Sequence, residues 1–323
     1  MGVLWSSIQS VLVVVLIMAL GYILRNTGWF ADSFGKNISK FIKNIALPAS
    51  IFVSVLTRLT RDKLISFSSY LIWGIVSVVI GYIISFILVK VLKVRPGRRG
   101  IFINAIVNAN TIFIGLPLNI ALFGNDSMTY FLVYYIINTV STWAFGVFLI
   151  SNDDPTKQDQ PKGHNKINWK QVLPMPLVGF IVALVFLLLN IPILQINFIS
   201  QSLTYVGNLV TPLSLIYIGI VLADAGLKSI NFDRDTVVAL LGRFVLSPVV
   251  MIILMMIAKD YANVPAMLSQ TMIVQAATPM LAVLPVLASE SHGDVKYATN
   301  IVTTSTVLFI VVVPILMTII QYI

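Results

Sequence analysis

The stretch N-A-N-T-I-F-I-G-L-P, residues 108–117, sets two amides, a hydroxyl, a glycine and a proline inside an apolar run. Amide and hydroxyl side chains can hydrogen-bond a polar solute without carrying charge. Glycine weakens a helix, and proline removes an N–H and crowds the preceding turn. In hydrocarbon, the backbone groups so freed need partners from protein or from a water-lined cavity. A second segment, Q-A-A-T-P-M-L-A-V-L-P over 275–285, repeats the pattern with Gln275, Thr278 and Pro279, then Pro285. Each break creates a helix N-terminus whose free N–H groups and partial positive charge suit a carboxylate. Asn108, Asn110, Thr111, Gln275 and Thr278 are therefore candidate ligands for a small anion, with Gly115, Pro117 and Pro285 as the residues that permit the breaks. The alternative is that Asn104, Asn108 and Asn110 hold a helical bundle together and Pro117 only kinks it.

Arg243 is read as the one charge well inside an apolar segment, and intramembrane charge is usually functional. It has three readings: attraction of an anion, pairing with Asp224 or Asp235, or snorkelling to the interface. All twelve acidic residues fall in loops or at segment ends, so no buried carboxylate is expected as a proton relay or sodium ligand. The chain has no cysteine, which excludes disulfides, thiol nucleophiles and thiolate metal sites. His164 and His292 read as solvated loop residues. S-E-S-H-G-D, 289–294, offers Ser, His and Asp, but adjacency in sequence rarely gives triad geometry. Neither an enzyme site nor a cofactor is expected.

These residues must be positioned by membrane helices. Of 323 residues 58% are hydrophobic and 10% charged, against about 25% charged in soluble domains, and mean hydropathy is +0.95. Apolar runs of the ~20 residues that cross a bilayer fall near 4–24, 38–57, 66–89, 101–122, 128–150, 171–190, 201–223, 236–258, 266–288 and 297–320. The first continues to Leu24 without a basic leader, so it reads as a span rather than a signal peptide. The net charge of +9 is assigned to topology rather than to nucleic acid. With the N-terminus outside, the basic residues of 25–43, 90–99, 157–170, 228–234 and Lys296 face inward, leaving Arg58, Arg61, Lys63 and Lys259 outside. That asymmetry places both termini on the outer side of the cell membrane.

Residues 151–170 form the long polar stretch and read as a cytoplasmic linker between halves 1–150 and 171–323. N-I-A-L-P-A-S (44–50) in the second span matches N-L-V-T-P-L-S (208–214) in the seventh, and the broken fourth span matches the ninth. Odd-numbered halves enter from opposite sides, so the expected fold class is an all-α polytopic membrane protein of two inverted five-helix repeats. Interrupted segments at corresponding places point to a transporter's binding site.

Asn110-Thr111, Gly115-x-Pro117, Q-A-A-T-P-M-L-A-V-L-P and N-I-A-L-P-A-S together resemble the auxin efflux carrier family, which includes plant auxin exporters and bacterial permeases for malate and similar acids. The resemblance covers the whole chain by span number and order, and by motif spans 2, 4, 7 and 9. It implies ten helices similar to bile acid:sodium symporters and sodium/proton antiporters, with broken helices 4 and 9 crossing. Spans 1, 2, 6 and 7 would form a scaffold, often a homodimer, while spans 3–5 and 8–10 move as an elevator. The family's crossover matches Asn110 and Thr278-Pro279, and Ser50 and Asn138 match positions near its substrate pocket. Ala109 departs from the proline of plant members, and the short central loop departs from theirs. A small carboxylate such as malate is therefore the expected substrate, rather than auxin. The alternatives are a cation/proton exchanger of the same fold and a non-transporting membrane sensor or scaffold.

Overall fold

The computed structural model describes residues 2–157, 175–226, 230–261 and 264–320. His164 and most of the expected linker lie outside them. The described residues are helical, and seven helices are long and apolar enough to cross a membrane. The elements are α1 (Gly2–Asn26), α2 (Phe34–Arg58), α3 (Arg61–Val91), α4 (Arg99–Val107), α5 (Thr111–Phe123), α6 (Asn125–Asn152), α7 (Met175–Leu188), α8 (Asn197–Ala225), α9 (Arg234–Tyr261), α10 (Ala266–Ala276), α11 (Leu284–Glu290) and α12 (Val295–Ile320). Exposed Leu, Ile, Val and Phe side chains stud their outer faces, as expected where lipid is the solvent.

Proline shapes several of these helices. Pro48, Pro117 and Pro248 each lie two residues beyond a wide π-helical turn: Ile42–Ala46, Thr111–Gly115 and Gly242–Leu246. The amides of Leu47, Leu116 and Ser247 reach back to the carbonyls of Ile42, Thr111 and Gly242. Widening the turn separates each proline ring from the carbonyl it would strike in a regular helix, so the chain bends without stopping.

Packing divides among neighbours. α1 lies along α8, with Gly21 and Gly219 meeting the facing backbone so closely that neither site has room for a Cβ. α2 packs on α7 and α8, whereas α3 packs on α4, α6 and α9. Arg25 at the end of α1 donates to Asp224 at the end of α8 and to Asp32, both at 2.6 Å. Arg58, an outlier in the charge asymmetry, pairs with Asp126.

Two segments near the centre of the bundle are not helical. After α4 the backbone extends at Asn108 and does not resume helical geometry until Thr111. After α10 it is irregular from 277 to 283. The two breaks touch: Ala109 and Met280 form an antiparallel bridge, and the Asn110 N–H donates to the Pro279 carbonyl at 2.8 Å. The unwound residues of the first segment are thus Asn108–Asn110. Gly115 and Pro117 follow them inside α5, and Pro285 sits in the first turn of α11. A proline in the first turn lacks only an N–H that would have no partner there, so Pro285 opens the second half-helix, while Pro117 sits past the wide turn inside α5, and neither lies in a gap.

Candidate functional site

Unwound backbone in hydrocarbon must be satisfied locally, and the structure does so with single side chains. Asn138 of α6 accepts from the Ala109 N–H at 2.8 Å and donates to the Ala109 carbonyl at 3.0 Å. Its amide thus takes the place of a neighbouring β-strand. Ser305 of α12 accepts from the Met280 N–H at 3.2 Å. Each break therefore has its strand edge closed by a polar residue on the helix that follows it.

Arg243 closes the ends of the two half-helices that precede the breaks. It is fully buried, and its guanidinium donates to the Ile106 carbonyl at 3.1 Å and to the Ala276 carbonyl. Ile106 and Ala276 end α4 and α10, where unpaired carbonyls and the negative ends of the helix dipoles gather. Ser247, one turn on, also donates to Ile106 at 2.9 Å. Neither acid proposed as a partner reaches Arg243. Asp224 is held by Arg25, and Asp235 lies with Arg98 and Arg234. Snorkelling is overturned too, since the side chain is sealed inside the protein.

A cavity of about 360 Å³ opens against the crossing. Its wall includes Asn110 and Thr111 at the first break, Asn138 and Thr142 of α6, Leu281 in the second break, and Lys43 of α2. The start of α5 at Thr111–Phe113 lies on this wall, and the Asn110 carboxamide oxygen caps it by accepting from the Phe113 N–H at 3.3 Å. The Asn110 Nδ2 and the Thr142 hydroxyl are buried without a hydrogen-bond partner. Buried donors are rarely left unpaired, and such orphans at a cavity wall suit a ligand or water. Among the described residues, no acidic side chain lines the cavity.

Lys43 corrects the view of Arg243 as the one charge inside an apolar segment. It was counted with the inward loops, yet it stands half-buried in the π-helical turn of α2. No local signal in the sequence marks it, because Lys40 and Lys43 both fall in the polar start of the run near 38–57.

The other candidates surround the crossing without lining the cavity. Gln275 donates to the Gly115 carbonyl at 2.9 Å, and its Oε1 occupies the space that a Cβ at 115 would need. Gly115 is therefore a point of close approach between α10 and α5. Thr278 donates to Val274 at 3.1 Å, and Pro279 contributes the carbonyl that Asn110 holds. Asn108 donates to Asn104 at 2.8 Å and accepts from Ser141 at 2.6 Å, while Asn104 donates to Gly100 and Gly146. Ser50 lies away from the crossing, where its backbone meets Gly207 of α8.

At one end of the bundle, Arg98 bonds Asp294 and Asp233, both at 2.7 Å, with its guanidinium 4.4 Å from the Tyr297 ring centre. Burial opposes ionisation of Asp294, but the Tyr297 N–H, Arg98 and Arg95 outweigh it and bring its pKa to about 2. Asp233 is lowered in the same way, with Arg98 and Thr236 overcoming burial. With Asp294 so engaged and His292 facing Asp154 at 3.2 Å, the residues of S-E-S-H-G-D do not converge as a triad.

Residues 6–317 match the family described as membrane transport protein. The chain belongs to this family, that of the auxin efflux carriers. Two archaeal relatives agree. An uncharacterized transporter of Methanocaldococcus jannaschii is 22% identical over 306 residues, covering 94% of this chain and 95% of its own. One of Methanothermobacter thermautotrophicus is 24% identical over 315 residues, covering 96% and 97%. This auxin efflux carrier family member is thus a multi-pass membrane protein of a transport family.

Proposed function

We propose that this carrier moves a small organic anion, malate or a similar carboxylate, held in the cavity at the crossing. One observation carries the reading. Among the described residues, the wall combines one cation, Lys43, with the N-terminal turn of α5 and the unpaired donor of Asn110. Cation, helix N-terminus and amide donor all favour a carboxylate, and no acidic group among the described residues of the wall opposes it. A volume of about 360 Å³ lies in the range of small-molecule sites.

The wider architecture is part of the same proposal. Ten membrane segments would form two inverted repeats. The supporting observation is that α4–α5 and α10–α11 are each interrupted and each served by a polar residue of the next helix. α1, α2, α7 and α8 would be the scaffold, through which two copies pair, and the remaining helices would carry the substrate in an elevator-type movement. Both termini would face outward, following the distribution of basic residues.

The test is uptake of labelled dicarboxylate into proteoliposomes by wild type, Asn110→Ala and Lys43→Gln. Both variants should lose transport at least tenfold, with Lys43→Gln acting mainly through KM. Unchanged transport in Asn110→Ala would remove the crossing from the mechanism.

A further inference from the structure

A second cavity system lies on the lipid-facing side of α3, remote from Lys43. Its mouth, about 710 Å³, is lined by Lys90, Lys93, Arg95 and Arg99, with Asp153 the one acid. Below it runs an apolar trough of about 620 Å³ walled by Ile83, Tyr82, Phe145 and Phe148. Phe86 and Leu149 line both spaces, so the basic mouth continues into the trough. The charges at the mouth are not all spent internally. Arg95 pairs with Asp294, and the Arg99 Nε donates to the Val94 carbonyl at 2.9 Å. Asp153 accepts from the Gly100 N–H at 3.2 Å. Lys90 and Lys93 have no ion-pair partner among the described residues.

We infer that this groove binds an anionic phospholipid, its phosphate on Lys90, Lys93 and Arg99 and an acyl chain in the trough. The observations favour a lipid over a soluble anion because charge complementarity is confined to one end. The other end is an apolar trough of about 620 Å³ whose lining suits a hydrocarbon chain. In the orientation proposed above, the mouth lies at the cytoplasmic end of α3, where basic clusters attract anionic headgroups. The trough also reaches the transport machinery. The Tyr82 ring forms its wall, while the Tyr82 hydroxyl bonds Ser141 at 3.0 Å and Asn108 at 3.4 Å, beside the first break. A chain seated there would press on the residues that hold Asn108.

The experiment uses full-length protein in detergent micelles doped with phosphatidylglycerol or phosphatidylcholine, with retained lipid read by native mass spectrometry. Wild type should retain phosphatidylglycerol selectively. Lys90→Gln/Lys93→Gln should weaken that retention about 25-fold, fivefold for each lysine. Phe148→Ala, which shortens the trough but keeps the charges, should weaken it less and for both lipids. Should the double variant fold poorly, wild type at high salt serves instead, where screening should release the lipid. Equal retention of the two lipids, or retention indifferent to both the lysines and salt, overturns the proposal. So does displacement of phosphatidylglycerol by soluble glycerol phosphate at matched concentration, which would make the mouth a free-anion site.

Discussion

Arg243→Met tests whether the guanidinium holds the crossing together or receives solute. The substitution keeps length and apolar volume but leaves backbone acceptors that no mutation can remove. The Ala276 carbonyl then has no donor, at a cost of about 1–3 kcal/mol for a buried unsatisfied group. The Ile106 carbonyl keeps Ser247, so its loss is partial. Two helix C-termini also lose their counter-charge, worth up to about 2 kcal/mol in partly buried settings. Removing a cation whose Nε already lacks an acceptor recovers some desolvation. The net expectation is a loss of about 3 kcal/mol, measured by reversible SDS unfolding in mixed micelles with tryptophan fluorescence. Arg243→Lys should fall between, because one ammonium cannot reach both carbonyls. A double-mutant cycle sharpens the point. Ser247→Ala should cost under about 1 kcal/mol alone and about 1–3 kcal/mol beside Arg243→Met, where it orphans Ile106. Stability within about 0.5 kcal/mol of wild type, joined to a raised KM for the transported anion, would refute the reasoning and make Arg243 a substrate contact.

Three further expectations follow from the same geometry. Asn138→Ala strips both partners from Ala109 and should cost about 2–4 kcal/mol in the same assay, whereas Asn138→Asp keeps the acceptor and should cost less at acidic pH than at neutral. Gly115→Ala drives a Cβ into the Gln275 carboxamide. It should destabilise by about 1–3 kcal/mol, and hydrogen exchange should show the loosening at both breaks rather than at α5 alone. Asp294 and Asp233 have lowered pKa values, so their contribution is complete above the ordinary carboxylate range near 4 and fades as pH falls below it, that of Asp294 toward about 2. Thermal stability should therefore drop across that interval, and Arg98→Gln should flatten the drop. An unchanged acid limb in the variant would detach stability from this ion-pair cluster.

The breaks were legible because their cause is local: amides, glycine and proline in apolar runs are visible in the sequence itself. Their position was less so. Pro117 and Pro285 look the same in sequence whether they kink a helix or begin one, and only the backbone shows that the gaps precede them. Arg243 was visible as a buried charge, but its partners were not, because carbonyls at helix ends have no side-chain signature. Asp224 and Asp235 were plausible until Arg25 and Arg98, distant in sequence, were seen to hold them. Lys43 was overlooked for a related reason. N-I-S-K-F-I-K-N reads as a polar approach to a helix, and nothing local says that its last lysine turns onto a cavity.

The arrangement of charge about the crossing bears on which solute could be tolerated there. Four half-helices meet, and two of them, α4 and α10, point their negative ends inward. Left bare, those ends would attract a cation, as in a site built for sodium or protons. Arg243, which does not line the cavity, covers both, and Ser247 adds a second donor to one of them. The strand edges are closed by uncharged Asn138, on the cavity wall, and Ser305, so no carboxylate of the described residues replaces the masked carbonyls. What remains facing the cavity is the amino-terminal turn of α5, the spare donor of Asn110 and Lys43. The preference proposed for an anion therefore rests on two residues, Arg243 at the helix ends and Lys43 on the cavity wall. Arg243→Met should weaken anion selectivity even where the protein still folds, while Lys43→Gln should lower affinity without loosening the crossing.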